Sequence, residues 1–512
     1  MGSASRRHSL TKYPISMYMA MQTTGKNTTR TTPMASLVVP TPTVVPHTVG
    51  DTFRVKGLTL TDHLFELPLD YGFNESASAD DASTINVFVR EVIATSKASD
   101  PGFEPKKLPA LLFLQGGPGF EAARPAESGG WLAEACKQFR VFLLDQRGTG
   151  RSTKISLEHL ELVCGDDDAK KAAYITHHRA DSIVADAESI RHTLLGAETK
   201  WTLLGQSFGG FCITRYLSAS PTGVRAALYT GGLPPLIRET NAAYDTYQKL
   251  FKRIKTQNEK YYRRFPMDVA RVLEIAIFLE ETGPQKTPSG GVLSTRGLQA
   301  LGFSALGVAG GFERLHYQLE TAWEVPDTQL SYNFLKSVDD AHAFDTNCLY
   351  AAAHESIYCN GNGAMSNWSA EKAYNELVGT EFDVEFVIGS NLDGSSSQTP
   401  LFFTGEMVFP FMFDEMPRLK PLKNVANILA QKTNWSTLYS ADNLNSNAVP
   451  VACASYAEDA FVDWDLANET ATEIKGARVW TTSEYMHSGI REDGANIFSK
   501  LLAMARGEDV VR

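Results

Sequence analysis

The apolar positions of the chain change their spacing near residue 235. Before it, hydrophobic residues form short runs, rich in β-branched and aromatic side chains, that are separated by glycine-containing loops. Such runs are typical of strands, and continuously apolar runs are typical of parallel strands covered by helices on both faces. They predict strands over residues 53–71, 85–94, 110–114, 141–144, 201–204 and 226–229, and a helix over residues 181–195. This rhythm, with an antiparallel entry, indicates an α/β fold with a mostly parallel sheet.

After residue 235 the hydrophobic spacing becomes helical. Apolar side chains recur three or four positions apart from Tyr244 to Ile254, and a second such face begins at Val269. This spacing places each set on one side of a helix. Strand character returns over residues 449–454 and 477–481. We therefore expect a helical insertion between strands of the same sheet.

These patterns divide the chain into four segments. Residues 49–234 are predicted to form the first part of the α/β core and residues 235–440 a mainly helical cap. Residues 441–512 complete the core and end in a helix over residues 494–505. Residues 1–48 contain five basic and no acidic residues and many Ser and Thr. Such a segment is typical of an organelle transit peptide, and a disordered tail is the alternative interpretation.

Composition excludes several classes of protein. The 512 residues carry a formal net charge of −11, so the chain lacks the basic footprint of a nucleic-acid-binding protein. No apolar run reaches the roughly 18 residues that a membrane span needs. The six cysteines are scattered and form no Cys-x-x-Cys pair, which argues against a structural zinc site and a disulfide framework. We expect a cytoplasmic protein, or a mitochondrial or other organellar one if residues 1–48 are a transit peptide.

A serine-containing motif lies at the centre of the predicted core. Gly205-Gln206-Ser207-Phe208-Gly209 follows one apolar run and precedes another. This is the Gly-x-Ser-x-Gly pattern of a nucleophile elbow, where a strand turns sharply into a helix and holds a serine in a strained conformation. Glycine avoids the crowding that such a turn creates at its flanking positions. We therefore expect Ser207 to be the catalytic nucleophile.

A serine nucleophile needs a base, and the base needs an orienting group. In elbow enzymes the acid and then the histidine follow the serine along the chain. His487 is suitably placed, just after the last predicted strand. The acid is expected just after the preceding strand, where Glu458, Asp459 and Asp463 are available. We choose Asp459, with Asp463 as the second candidate.

The oxyanion hole of such an enzyme uses two sets of backbone N–H groups. One is the amide of the residue after the nucleophile, here Phe208, and the other comes from a loop after an earlier strand. The loop 115–119 (Gln-Gly-Gly-Pro-Gly) fits this position, and Gly116 and Gly117 are its candidate donors. In the loop after the next strand, Asp145 and Arg147 are expected to brace the site.

Several motifs together resemble one known family. Gly-Gly-Pro-Gly at 116–119, Asp-Gln-Arg-Gly-Thr-Gly-Arg-Ser at 145–152 and Gly-Gln-Ser-Phe-Gly-Gly at 205–210 look like the prolyl aminopeptidase (proline iminopeptidase) family of α/β-hydrolases. The resemblance extends from about residue 53 to the C-terminus, and segments 311–317, 354–359 and 484–489 resemble the larger-cap branch of that family. Two departures are Gln115, where many members have histidine, and Gln206-Ser207-Phe208, where Gly-Ser-Trp is commoner.

The resemblance implies a serine exopeptidase that releases N-terminal proline from peptides through an acyl-enzyme. It implies a peptide substrate and no metal or organic cofactor. The secondary ammonium of proline needs a carboxylate partner, because an unpaired buried charge is costly. The candidate amine-binding acids of the cap are Glu320, Glu355 and Glu406. The candidate residues for an apolar slot around the pyrrolidine ring are Phe208, Phe312 and Tyr358.

Two other functions are compatible with the same motifs. An esterase or amidase of this fold would use the same triad with a different acyl specificity and would need no carboxylate for an amine. A catalytically silent α/β-hydrolase would act as a binding protein, although such a protein has no need to keep the serine, the histidine and the glycine loops. Resemblance of fold does not choose among these functions.

Overall fold

A mixed sheet runs through the part of the chain that the computed structural model describes, which is residues 37–73, 83–236, 241–341, 344–392 and 398–509. The strands in chain order are β1 (His47–Val55), β2 (Leu58–Pro68), β3 (Thr84–Ala94), β4 (Ala110–Leu114), β5 (Arg140–Asp145), β6 (Trp201–Gln206), β7 (Val224–Thr230), β8 (Gln285–Lys286), β9 (Val292–Leu293), β10 (Trp323–Val325), β11 (Gln329–Leu330), β12 (Val451–Tyr456) and β13 (Ala477–Thr482). Within these residues, nine strands form the main sheet, in the order β1-β2-β3-β5-β4-β6-β7-β12-β13.

The pairing is antiparallel from β1 to β5 and parallel from β5 to β13. The predicted α/β class with an antiparallel entry is therefore confirmed. The predicted strand over 53–71 is in fact the hairpin of β1 and β2. Because parallel strands end at the same edge of a sheet, the loops after β4, β6, β12 and β13 lie side by side.

The helices in chain order are α1 (Thr95–Ala98), α2 (Gly130–Cys136), α3 (Leu157–Cys164), α4 (Asp168–Thr176), α5 (Ala180–Leu195), α6 (Phe208–Ala219), α7 (Ala242–Arg264), α8 (Asp268–Thr282), α9 (Thr295–Gln299), α10 (Gly311–Glu320), α11 (Tyr332–Ala341), α12 (Cys348–Ala353), α13 (Ser369–Tyr374), α14 (Val384–Leu392), α15 (Met412–Glu415), α16 (Lys423–Gln431), α17 (Ala441–Asn445), α18 (Trp464–Glu473), α19 (Gly489–Glu492) and α20 (Gly494–Arg506). Short 3₁₀ helices occur at Pro105–Lys107, Pro221–Gly223, Ala300–Ser304, His354–Tyr358 and Lys420–Leu422.

The central strand β4 shows why the sheet is buried on both faces. Successive side chains of a strand point to opposite faces. Ala110, Leu112 and Leu114 join the core that contains α5, α6 and the cap helices, whereas Leu111 and Phe113 join the core formed with α2 and α20. A strand covered on both faces has no polar position, which explains its continuously apolar sequence.

Helices α7 to α17 and two short hairpins lie between β7 and β12 in the sequence. The helical spacing predicted for this region is present in α7 and α8. Helix α7 buries Tyr247, Phe251 and Ile254 along one face, as the spacing indicated. The boundaries 235 and 440 of the cap remain a prediction.

The predicted tail lies partly outside the described residues, which begin at residue 37. Its last part contacts the core, because Arg215 donates to the carbonyl of Val38 (2.6 Å) and the amide of Val45 donates to Thr193 Oγ1 (3.1 Å). Strand β1 begins at His47. Each helix in the described ranges is too short or too polar to cross a membrane.

Candidate active site

Ser207 occupies the sharp turn between the end of β6 and the start of α6. Its φ is +54° and its ψ is −125°, a conformation that few residues other than glycine adopt. Its amide donates to the carbonyl of Thr230 (3.0 Å), and its own carbonyl accepts from the amide of Gly210 (2.7 Å). The strained turn that the motif predicted is therefore present, at the edge of the sheet where the parallel strands end.

Two glycines allow the backbone to close around Ser207. A Cβ atom on Gly209 would lie 1.9 Å from the carbonyl oxygen of Leu114, so α6 packs directly on the end of β4. A Cβ atom on Gly116 would lie 2.8 Å from the Cβ of Ser207. Any side chain at either position would push these segments apart. The loop after β4 therefore lies against the serine.

The candidate oxyanion donors lie in these two segments. Phe208 directly follows Ser207 as the first residue of α6, and Gly116 contacts the serine from the loop after β4. Gly117 follows with a φ of +122°, which glycine adopts readily. The structure thus brings together the two segments from which an oxyanion hole of this type is built.

His487 lies in the loop between β13 and α19, and its ring faces Asp459. The imidazole Nδ1 is 2.9 Å from Oδ2 of Asp459 and 3.1 Å from Oδ1. The amide of His487 donates to the carbonyl of Gly307 (3.2 Å), and its carbonyl accepts from Nε2 of Gln206 (3.2 Å). Because Gln206 immediately precedes Ser207, the second bond ties the histidine loop to the serine turn.

Asp459 is buried, with 1% of its surface exposed. Its Oδ1 also accepts hydrogen bonds from the amides of Phe461 (2.8 Å) and Val462 (2.9 Å). Burial lowers the pKa of His487, but the charge of Asp459 and its hydrogen bond outweigh that effect, and the pKa is raised above its ordinary value. This is the arrangement in which a carboxylate holds an imidazole with its proton on Nδ1.

The other two candidate acids have different partners. Asp463 caps α18 by accepting from the amide of Leu466 (3.0 Å), and it pairs with Arg253 (3.1 Å). Glu458 forms an ion pair with Lys260. Among the three acids considered from the sequence, Asp459 is therefore the one that contacts the histidine.

Of the three cap carboxylates, Glu406 belongs to the surroundings of the Asp459–His487 pair. The hydroxyl of Tyr350 donates to its Oε1 (2.8 Å). Burial raises the pKa of Glu406 to about 7, against the charge of His487 and the hydrogen bond from Tyr350, which lower it. The charge of Asp459 adds to the rise. A carboxyl group whose pKa is raised to about 7 thus interacts electrostatically with the imidazole.

The other two cap carboxylates, Glu355 and Glu320, form different contacts. Glu355 accepts hydrogen bonds from the first two amides of α13 (3.1 and 2.9 Å) and so caps that helix. Glu320 lies at the exposed end of α10, where its Oε1 is 3.3 Å from Nε2 of His316 and 3.8 Å from a nitrogen of Arg271. These hydrogen bonds and ion pairs of Glu355 and Glu320 thus lie outside the Asp459–His487 pair.

Aromatic side chains from the cap and the core meet beside the histidine. The ring of Tyr350 lies 5.5 Å from that of Phe120, 5.9 Å from that of Phe303 and 5.6 Å from that of Phe344. Phe461 joins the group through Phe303 (6.1 Å) and packs against the imidazole of His487 (4.7 Å). We call Phe120, Phe303, Phe344, Tyr350 and Phe461 the aromatic wall.

The aromatic residues chosen from the sequence lie elsewhere around the site. Phe208 and Tyr358 both pack on Phe211, with ring centroids 6.0 Å apart in each case. Phe312 packs on Tyr261 (5.6 Å) instead. Two of the three therefore share a neighbour on α6, and the third belongs to a different cluster.

The loop after β5 braces the site from below, as expected. Arg147 is fully buried, binds both carboxylate oxygens of Asp186 (2.8 and 2.6 Å) and donates to carbonyls at the ends of β2 and α4. Asp145 accepts from the amides of Ala122 (3.2 Å) and Arg151 (2.9 Å). These bonds fix three loops with respect to the end of the sheet.

Three contributors to the site were not predicted. Gln206 lies inside the serine motif, at a position where the sequence departs from the commoner glycine, and that departure was the available signal. Phe461 lies two residues after Asp459, in the same loop in which the sequence predicts the acid. Tyr350 carries no signal in the sequence, because it belongs to an alanine-rich helix of the cap.

A cation site is not evident in the described part of the chain, where no three His, Cys, Asp or Glu side chains group as metal ligands. The chemistry that the arrangement supports is nucleophilic catalysis by Ser207, whose turn is tied through Gln206 to the loop of the Asp459–His487 pair.

Comparison with known proteins agrees with this fold and motif set. Residues 109–278 match the family model described as the alpha/beta hydrolase fold. A proline iminopeptidase of Aeromonas sobria is 40% identical over 454 residues, which cover 89% of this chain and 98% of that protein. Proline iminopeptidase aneH of Aspergillus aculeatus is 31% identical over 450 residues, which cover 86% of this chain and 92% of that protein.

Two solved structures are also similar to much of this chain. The crystal structure of a proline iminopeptidase of Mycobacterium smegmatis has a TM-score of 0.36 and 13% identity, with 85% of this chain and 100% of that chain covered. A 2-hydroxy-6-oxo-6-phenylhexa-2,4-dienoate hydrolase of Rhodococcus has a TM-score of 0.36 and 11% identity, with 90% of this chain and 100% of that chain covered. On the 40% identity to the Aeromonas enzyme over nearly its whole length, this chain belongs to the proline iminopeptidase family of α/β-hydrolases.

Proposed function

We propose that the protein is a serine exopeptidase that releases N-terminal proline from peptides. The observation that carries the proposal is the neighbourhood of His487, which has Asp459 on its Nδ1 and the cap carboxylate Glu406 close by. The first carboxylate suits the orientation of a base, and the second suits the recognition of a substrate cation. The family of the chain supports the same reaction.

In the proposed reaction, Ser207 Oγ attacks the carbonyl carbon of the N-terminal prolyl residue while Nε2 of His487 takes the hydroxyl proton. Asp459 keeps the other ring nitrogen protonated and stabilises the imidazolium that forms. The amides of Phe208 and of Gly116 or Gly117 stabilise the negative oxygen of the tetrahedral intermediate. His487 then returns the proton to the departing amine nitrogen as the C–N bond breaks.

Water completes the cycle. It attacks the prolyl ester of Ser207, and His487 accepts a proton from this water. Collapse of the second tetrahedral intermediate breaks the bond to Oγ, which recovers its proton from His487, and free proline leaves. Each step uses only protein groups, the peptide and water.

We assign the recognition of the proline amine to Glu406. The secondary ammonium of an N-terminal proline is a cation, and a cation near a carboxyl group lowers the pKa of that group. A carboxyl with a pKa of about 7 therefore becomes ionised when the ammonium binds. Glu355 is engaged with the backbone of α13, and Glu320 with His316, which makes them the weaker candidates.

The aromatic wall supplies an apolar surface for the pyrrolidine ring. Phe303, Phe344 and Tyr350 contact one another there, and Phe461 connects them to His487. Burial of apolar surface contributes roughly 25 cal/mol per Å², so a slot of this kind favours a ring over an open polar side chain.

Turnover of a chromogenic prolyl amide tests the proposal. Ser207→Ala should lower kcat by at least about 10⁴-fold, because the nucleophile is lost. Ser218→Ala on the same helix is the matched control, since its buried Oγ has no hydrogen-bond partner among the described residues. Circular dichroism would establish that both variants are folded. Undiminished activity of Ser207→Ala would contradict the proposal.

Blocking the amine separates the exopeptidase from an esterase or amidase. The free prolyl amide should be cleaved at least about a hundredfold more efficiently than its N-acetyl derivative, because the blocked amine cannot pair with a carboxylate. Equal cleavage of the two would favour an esterase or amidase. Absence of labelling by a fluorophosphonate probe would favour a silent binding protein.

A cytoplasmic location remains a prediction from the spacing of the cysteines. The 512-residue chain and a variant without residues 1–36, which keeps Val38, Val45 and β1, each with a C-terminal fluorescent tag, would test it. Organellar fluorescence that depends on the deleted residues would favour the transit-peptide interpretation.

A further inference from the structure

Tyr350 connects two parts of the site that come from distant regions of the sequence. It lies on α12, and its backbone nitrogen would be 3.0 Å from a Cβ atom placed on Gly119, in the loop after β4. Its hydroxyl donates to Oε1 of Glu406 at 2.8 Å. One residue therefore contacts both the glycine loop next to Ser207 and the cap carboxylate.

The ring of Tyr350 is held on several sides. Phe120, Phe303 and Phe344 pack around it, as described for the aromatic wall. The imidazole of His354 stacks on it, with ring centroids 4.7 Å apart and an interplanar angle of 29°. A phenol fixed in this way can direct its hydroxyl to one point only, because its remaining freedom is rotation of the O–H bond.

His354 acts here as a flat, uncharged packing partner. It is 1% exposed, and both of its ring nitrogens lack a hydrogen-bond partner among the described residues. Burial lowers its pKa to about 3. The imidazole therefore stays neutral at any pH at which the enzyme would work, and its stacking on Tyr350 does not change with pH.

We propose that Tyr350 is a positioning residue that orients the carboxylate of Glu406 for the substrate amine. This inference rests on the proposed function. The hydroxyl occupies Oε1 and so leaves Oε2 for the ammonium group. A hydrogen bond to one oxygen also favours the ionised carboxylate, since the charged acceptor gains more from it than the neutral acid does. Tyr350 therefore acts on both the direction and the charge of the amine partner.

Other charged and titratable groups also interact with Glu406 and help to determine its pKa. They are His487 after β13, Asp459 after β12, Tyr247 on α7 and Tyr358 before α13. The charge of His487 and the Tyr350 hydrogen bond lower the pKa of Glu406, whereas burial and the charge of Asp459 raise it. Removal of the Tyr350 hydroxyl must therefore raise this pKa further above about 7.

Tyr350→Phe is the test, because it removes the hydroxyl and keeps the ring. We expect KM for a free-amine prolyl amide at pH 7 to rise about tenfold while kcat changes less than about twofold, since the lost bond acts on the recognition of the amine. The acid limb of kcat/KM should move by about half a pH unit or more to higher pH. The difference from wild type should shrink above pH 8, where Glu406 is ionised in both proteins.

Two controls separate positioning from a general effect on the fold. A short acyl ester has no amine, so the acid limb of its hydrolysis reports His487. In Tyr350→Phe this limb should not move to higher pH, because a less ionised Glu406 raises the pKa of His487 less. Tyr374→Phe removes a phenolic hydroxyl from the same cap, where it bonds to Gln299 and to the carbonyl of Phe382 (3.0 and 2.9 Å), and should leave both profiles unchanged. Titration with a fluorophosphonate would give the concentration of active sites in each variant.

The Glu406→Gln background completes the experiment. If Tyr350 acts through Glu406, adding Tyr350→Phe to Glu406→Gln should change KM by less than about twofold, which is the signature of two residues in one interaction. An unshifted acid limb, or equal losses with the ester and the prolyl amide, would overturn the role of Tyr350. Failure of wild type to prefer the free amine would instead overturn the proposed function, so the two failures are distinguishable.

Discussion

Replacement of Asp459 by asparagine changes one atom, and the neighbouring amides determine which one. Oδ1 accepts from the amides of Phe461 (2.8 Å) and Val462 (2.9 Å), so the oxygen of an asparagine must take that position. Its NH₂ group then replaces Oδ2, the atom 2.9 Å from Nδ1 of His487. Two donors cannot face each other, so the imidazole must move its proton from Nδ1 to Nε2.

That tautomer cannot serve as the base. Nε2, now protonated, cannot accept the proton of Ser207, and Asp459 no longer stabilises an imidazolium. A loss of this kind lowers kcat by about 10⁴-fold in a serine triad, which corresponds to about 5.5 kcal/mol at 1.36 kcal/mol per factor of ten. KM should not rise, because loss of the charge of Asp459 removes one of the effects that raise the pKa of Glu406. Thermal stability should also change little, since the two bonds from the backbone amides are kept.

Steady-state kinetics with a chromogenic prolyl amide would measure this loss, with thermal unfolding in parallel. Asp463→Asn is the matched control. Asparagine caps a helix about as well as aspartate, so α18 should stay capped, and only the partly exposed pair with Arg253 is lost. We expect kcat of Asp463→Asn within twofold of wild type. A loss below tenfold for Asp459→Asn, or equal losses for the two variants, would refute the reasoning.

Two further predictions concern the frame of the site. Gly209→Ala should lower kcat/KM at least about a hundredfold and reduce the melting temperature, because the new Cβ would lie 1.9 Å from the carbonyl oxygen of Leu114 and α6 must move away from β4; activity within twofold of wild type would contradict this. Arg147→Leu should destabilise the protein by about 3–5 kcal/mol in urea unfolding, because the buried charge of Asp186 loses its partner. An unchanged unfolding midpoint would show that Asp186 is not charged in the folded protein.

The core of the fold could be predicted because its signals are local. A glycine on each side of Ser207 and continuously apolar strands before it are properties of a few neighbouring residues, and each has one main structural solution. The final helix was expected over residues 494–505 and is observed as Gly494–Arg506. Asp459 and Asp463 both follow β12, and only the folded structure shows which of the two carboxylates reaches His487.

The cap could not be predicted to the same depth, because its contacts join residues far apart in the sequence. Glu320, Glu355 and Glu406 are each acids near aromatic residues, and the sequence does not distinguish them. They differ in their contacts in the folded protein. Glu355 caps α13, Glu320 pairs with His316, and Glu406 accepts a hydrogen bond from Tyr350. No local pattern encodes a bond between residues 350 and 406.

Because Glu406 interacts with His487, a substrate amine that pairs with Glu406 also changes the pKa of this imidazole. An ionised Glu406 raises the pKa of His487, and a protonated imidazole cannot accept the proton of Ser207. When an ammonium group pairs with Glu406, the two charges nearly cancel, and this contribution to the pKa of His487 falls. The proposed substrate therefore both binds to the carboxylate and restores a neutral base beside the serine. A substrate without a free amine would gain neither effect, and for this reason selectivity should appear in kcat as well as in KM.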